Sequence, residues 1–201
     1  MNRHLTLTTA HGTLHGHLER PDFPRGLVLV ARVHHALADN LVAANLATCG
    51  YAILSMELLT AQETHFADAA QNVPRLSQRL LDILDLIRLD GDTQDLPLAM
   101  MATGDVTPAA IRVAARRDTQ VSALACRGGL IDRAGLQALK LLSAPLLMLF
   151  DADEAIEQAA FQRALPHLTT TSETRILARG EDATPHVAAW LTRHLHNARE
   201  N

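Results

Sequence analysis

Apolar and polar residues alternate along Leu5-Thr6-Leu7-Thr8-Thr9 and again over residues 13–19, the period of strands with one covered face. His11-Gly12 between them reads as a turn, so the pair predicts an antiparallel hairpin. Pro21, Pro24 and Gly26 punctuate the exit from it. From Gly26 the pattern changes to a continuous apolar run (GLVLVA), as a strand covered on both faces requires. Similar runs recur at 51–54, 96–102, 121–126 and 145–150, with a weaker one at 175–178. Between them, Val73, Leu76, Leu80, Ile83, Leu84 and Ile87 repeat at spacings of three and four and define one helix face. Further helices are predicted over 41–48, 108–117, 135–142, 155–165 and 185–196. Strands alternating with helices predict an α/β fold. The expected sheet is open and twisted, of about eight strands, mostly parallel, with the hairpin at one edge and helices on both faces.

Composition narrows this further. A chain of 201 residues suits one domain, spanning 1–201, with no room for a cap domain. Apolar residues make up 48% of it but aromatics are scarce, so Leu, Ala, Val and Ile must build the core. The net charge of −4, with no basic run longer than Arg116-Arg117, argues against a nucleic-acid partner, because phosphate neutralisation needs several aligned cations. Cys49 and Cys126 make no disulfide framework. Met1-Asn2-Arg3-His4 opens without the apolar stretch of a signal peptide, and no apolar run approaches the ~20 residues that cross a bilayer. The expectation is a cytoplasmic protein without a membrane partner.

Three segments carry a family resemblance. Leu58-Leu59-Thr60 follows the strand at Tyr51, Arg127-Gly128-Gly129 follows the strand ending at Cys126, and Ala144-Pro145-Leu146-Leu147 leads to Asp153-Glu154. Their order and spacing, from about Leu5 to about Leu195, resemble the dienelactone-hydrolase-like branch of the α/β-hydrolase superfamily. The resemblance implies a hydrolase with a nucleophile on a sharp strand-to-helix turn, an acid after the strand at 145–150, and a histidine after the strand at Arg175.

The residues present depart from that pattern. No G-x-S-x-G or G-x-C-x-G motif occurs, and the turn maps onto Ala102-Thr103-Gly104-Asp105-Val106, with Gly104 at the nucleophile position. Glycine relieves the positive-φ strain that such a turn imposes on other residues. A rival register makes Asp105 a carboxylate nucleophile. Against it, Thr107-Pro108 reads as an N-cap and N1 pair that starts the helix too late, and Asp105 reads equally as a helix-start acid. Asp153 matches the acid position, although first-turn acids of a helix look the same. The histidine position falls on Ala183, and His186 lies three residues beyond, after Pro185. The oxyanion loop reads Arg32-Val33-His34-His35-Ala36-Leu37-Ala38-Asp39, without glycine and shortened before a helix at Leu41. Three elements lost together predict a non-catalytic protein.

Eleven histidines raise the question of metal, but the H-x-x-x-H spacing of His11 and His15 falls on the predicted hairpin and not on a helix face, no C-x-x-C occurs, and no phosphate-cradling glycine motif occurs. No cofactor or metal is expected. The leading expectation is a dienelactone-hydrolase-like pseudoenzyme binding a small molecule or protein partner, with His34, His35, Gly104, Asp105 and Asp153 lining the former active-site cleft. One alternative is an active hydrolase of small esters or lactones, with Asp105 as nucleophile, Asp153 as orienting acid and His186 as base. Another is a scaffold that self-associates as a homo-oligomer.

Overall fold

In the computed structural model, which describes residues 1–33, 37–66 and 68–195, the chain folds around a single eight-stranded sheet. The alternating N-terminal runs form β1 (Asn2–Thr9) and β2 (Gly12–Glu19), an antiparallel hairpin. The continuous apolar runs form β3 (Leu27–Arg32), β4 (Ala52–Glu57), β5 (Leu98–Thr103), β6 (Val121–Arg127) and β7 (Leu146–Asp151); the weaker run forms β8 (Ser172–Leu177). The strand order is β1-β2-β4-β3-β5-β6-β7-β8, with β2 antiparallel to β4 and every later pairing parallel.

Among the described residues, six α-helices cover the sheet: α1 (Leu37–Thr48), α2 (Val73–Leu89), α3 (Thr107–Arg116), α4 (Leu136–Leu141), α5 (Ala155–Ala164) and α6 (Thr184–Leu195). Because side chains alternate across a strand, each central strand feeds two cores. Leu27, Leu29 and Met100 pack with α2, α3 and α5 on one face; Val28, Val30 and Met101 pack with α1 and α6 on the other. The predicted stripe of α2 is buried at all six positions.

Two helix starts differ from expectation. α1 begins at Leu37, not Leu41; its first turn, Leu37-Ala38-Asp39-Asn40, carries no apolar stripe that would reveal a helix in the sequence. Ahead of α3, Gly104–Val106 already forms a 3₁₀ turn, so the helical path begins directly after β5. Thr107 is itself helical and sends its hydroxyl to the Gly128 carbonyl (3.0 Å) instead of capping.

Candidate functional site

β5 ends at Thr103 and the chain turns on Gly104, whose φ of +57° is the left-handed conformation that favours glycine. A Cβ built there meets nothing within 4 Å among the described residues, so a side chain would start into open space. The turn is braced from β6. At Gly129 (φ +91°) a Cβ would overlap the Gly104 carbonyl oxygen and come within 2.9 Å of Thr107 Cβ. At Gly128 a Cβ would overlap the Glu154 carboxylate. Gly129 is therefore a packing requirement of the turn itself, while Gly128 makes room for the Glu154 carboxylate. Cys126, beneath it, is fully buried; burial pushes its thiol up to about 12 despite a hydrogen bond with Thr107, leaving it a protonated core residue.

Asp105 occupies the 3₁₀ turn with ordinary negative φ, half-buried, and makes no hydrogen bond or ion pair among the described residues. Asp153 is exposed in the turn after β7 and is likewise unpartnered among the described residues. His186, in the first turn of α6, is committed elsewhere. Its Nε2 lies 2.9 Å from Glu181 Oε1, and the other Glu181 oxygen accepts the Ala178 N–H at 2.7 Å. The His186 contact and then the Ala178 N–H hold the Glu181 carboxyl below its usual range. No hydrogen bond joins His186 to Asp105 or Asp153. Ala183, at the histidine position of the resemblance, is buried in the core beside Val187 and Trp190. His34 and His35 lie outside the described residues.

Other groups at the same end of the sheet escaped sequence reading. Arg127 closes β6 and its Nη2 donates to both oxygens of Asp151, the last residue of β7, at 2.8 and 3.0 Å. Glu154 in turn accepts the Asp151 N–H at 2.8 Å. Burial raises the Glu154 carboxyl, against that hydrogen bond and with the help of the Asp151 and Glu157 charges. Asp39, in the first turn of α1 and only 3% exposed, accepts the Thr103 hydroxyl at 3.1 Å, directly beside the Gly104 turn. Burial raises its carboxyl, opposed by the Thr103 hydrogen bond and the charges of Arg127 and Arg32. The one sequence cue to Asp39 was an acid at the carboxyl end of a strand, where open α/β sheets bind ligands.

Arg127, Asp151, Ala152, Asp153, Arg179 and Gly180 bound an open cleft of about 460 Å³ at the ends of β6, β7 and β8. Asp153 thus lines a cleft, while Gly104 and Asp105 stand outside this one. Among the described residues no cluster of three or more His, Cys, Asp or Glu has the geometry to hold a metal ion. No described helix is long and apolar enough to cross a membrane.

The strand order, the positive-φ turn after β5 and the loops gathered at the carboxyl ends of the parallel strands define an α/β-hydrolase fold, in its dienelactone-hydrolase-like form. The structure matches dienelactone hydrolase from Anabaena variabilis with a TM-score of 0.87 at 25% identity, covering 97% of this chain and 98% of that one. It also matches Est1E from Butyrivibrio proteoclasticus (TM-score 0.76, 10% identity, 98% and 99% covered). A cold-adapted esterase from an Arctic intertidal metagenomic library gives 0.74 at 16% identity, covering 96% and 94%. These last two likenesses concern the fold alone. In sequence, the chain is 31% identical over 153 residues, 74% of its length, to two Mycobacterium tuberculosis proteins that carry the name "putative phosphoribosyl transferase". It spans about a third (34%) of their length. No protein-family model matches the chain.

Proposed function

We propose that this chain is a dienelactone-hydrolase-like protein that does not hydrolyse esters or lactones and instead binds a small ligand through the loops at the carboxyl ends of its strands. The observation that carries this reading is Gly104: the left-handed turn after β5 presents a glycine, with open space where a nucleophile would project. The supporting geometry is the engagement of His186 by Glu181 and the apolar burial of Ala183, which leave the turn without a basic partner from α6 or the loop before it. Phosphoribosyl transfer is not part of this reading: the likeness to the M. tuberculosis proteins spans a third of their length, and this chain has an α/β-hydrolase fold.

A second reading makes Asp105 a carboxylate nucleophile. It is favoured by one feature, that this half-buried carboxylate beside the turn has no partner among the described residues. One assay separates the two: turnover of a panel of activated esters and lactones by the wild type, Asp105→Ala and His186→Ala. The proposal expects all three to match the buffer blank. Turnover by the wild type that both substitutions abolish establishes the carboxylate-nucleophile reading and sinks the proposal.

A further inference from the structure

The cleft between β6, β7 and β8 contains two cations and two carboxylates, and they are not equivalent. Arg127 and Asp151 are spent on each other, yet only Nη2 of the guanidinium is engaged; Nε and Nη1 hold no partner among the described residues and are not buried without one. Arg127 is also enclosed, with a side chain 19% exposed, so its remaining donors are fixed in direction. Arg179 is exposed and unpaired among the described residues, as is Asp153. The two stand more than 4 Å apart, beyond ion-pair distance, while bounding the same space.

Arg179 is held out deliberately by its loop. Gly180 (φ +77°) makes the turn, and Glu181 closes it from both sides: its backbone N–H donates to the Ala178 carbonyl (2.9 Å) while its carboxylate accepts the Ala178 N–H and contacts His186. The histidine that resembles a displaced catalytic base is here a brace for the turn that presents Arg179.

We infer that this cleft is a binding site for a small zwitterion of amino-acid to dipeptide size, its carboxylate received by Arg179 and the free donors of Arg127, its ammonium by Asp153. This deepens the ligand-binding reading above and rests on it. Charge balance selects the class. A planar guanidinium suits a carboxylate or phosphate. A phosphate monoester would bring two negative charges to a guanidinium that already faces Asp39, Asp151 and Glu154, and would leave Asp153 unanswered. A simple amine would leave Arg179 unanswered. Only a molecule with both charges complements both open groups. The cleft volume falls in the range of small-molecule sites, roughly 300–1,000 Å³.

The test is calorimetric titration of the whole chain with L-alanine and L-alanyl-L-alanine, against acetate, propylamine and inorganic phosphate. The expected result is that one of the zwitterions binds at least about tenfold more tightly than any of the probes carrying one sign of charge, and that Arg179→Gln and Asp153→Asn each weaken it about tenfold. Both positions are exposed, so circular dichroism should show both variants folded. Acetate or phosphate binding as tightly as the zwitterions, zwitterion binding unchanged in both variants, or no zwitterion binding up to about 20 mM each overturns the inference. A failed titration with no ester turnover by the wild type removes this ligand class only; ester turnover removes the non-hydrolytic reading, whatever the titration gives.

Discussion

Gly104 and Gly129 both have positive φ and face each other across the turn, yet a methyl group means different things at each. At Gly104 it enters open space, so Gly104→Ala meets only the left-handed backbone penalty, about 1–2 kcal/mol. At Gly129 the same penalty is joined by overlap with the Gly104 carbonyl and Thr107, which must move together with the start of α3. Urea denaturation should therefore find Gly129→Ala the worse by at least about 2 kcal/mol; equal losses would mean the turn is softer than its packing implies. Gly104→Ser should fold as well as Gly104→Ala and still leave 4-nitrophenyl acetate hydrolysis at the wild-type level, because no base among the described residues is placed to activate the hydroxyl. A burst of product in that variant would show a hidden base near the turn. Gly104 was legible in the sequence because the run at 121–126 fixes a register that can be counted backwards to it. Asp39 with Thr103, Arg127 with Asp151 and His186 with Glu181 were not, for a physical reason. The first two pairs join residues 64 and 24 positions apart, brought together only when parallel strands align their carboxyl ends. The third depends on how one turn folds back on a helix.

At the scale of elements, the loop after β4 shows how one buried charge ties several segments together. Thr60 and Glu63 form a reciprocal capping pair, with the Thr60 N–H donating to Glu63 Oε2 at 2.9 Å and the Glu63 N–H reaching the Thr60 hydroxyl at 3.4 Å. Arg79 of α2, fully buried, donates to both Glu63 oxygens (2.7 and 3.1 Å), to the Leu58 carbonyl after β4 (2.6 Å) and to the His11 carbonyl in the first hairpin (2.8 Å). Burial alone would raise the Glu63 carboxyl, but the Arg79 and Thr60 hydrogen bonds and the Arg79 charge outweigh it and hold the group at about 2. A depressed acid stabilises the fold above its unfolded pKa, and that contribution is lost as pH falls from the ordinary carboxylate range toward 2. Replacing Glu63 by Gln should lower stability at pH 7 and flatten this acid limb; an unchanged limb would assign acid sensitivity to other groups. Arg79→Met should cost about 3–5 kcal/mol, since it takes from Glu63 its buried cation, leaving only Arg75 and the Thr60 donors, and strips the Leu58 and His11 carbonyls of the Arg79 hydrogen bonds. The α2 stripe announced the helix in the sequence. It also hid Arg79, because a cation between Ser77 and Leu80 in an amphipathic helix reads as a solvated position until the loop it serves is seen.

For the whole molecule, the decisive feature is that β3, β5 and β6 belong to both cores at once. Leu29 and Met100 face the α2–α3 side, Val30 and Met101 the α1–α6 side, and all four are 3% exposed or less. The continuous apolar runs carried this information, since a strand wet on one face would have alternated. The hairpin strand β1 does alternate, and five of the six β8 residues are exposed or half-buried, so water reaches both edges of the sheet. Neither helical layer can leave without uncovering the central strands, which makes the two cores one cooperative unit rather than two stacked ones. Hydrogen exchange should show the amides of Leu29, Met100 and Leu124 opening only with global unfolding, and those of residues 174–176 opening locally and faster. Trp190, 1% exposed in the α6 core, provides the lever. Trp190→Ala should remove about 3–5 kcal/mol and lower the protection of all three central amides by the same amount, although their side chains face the opposite layer. If exchange accelerated only in α6 and the strand residues beneath it, the sheet would be a partition between two independently stable layers, and the cooperative picture would fail.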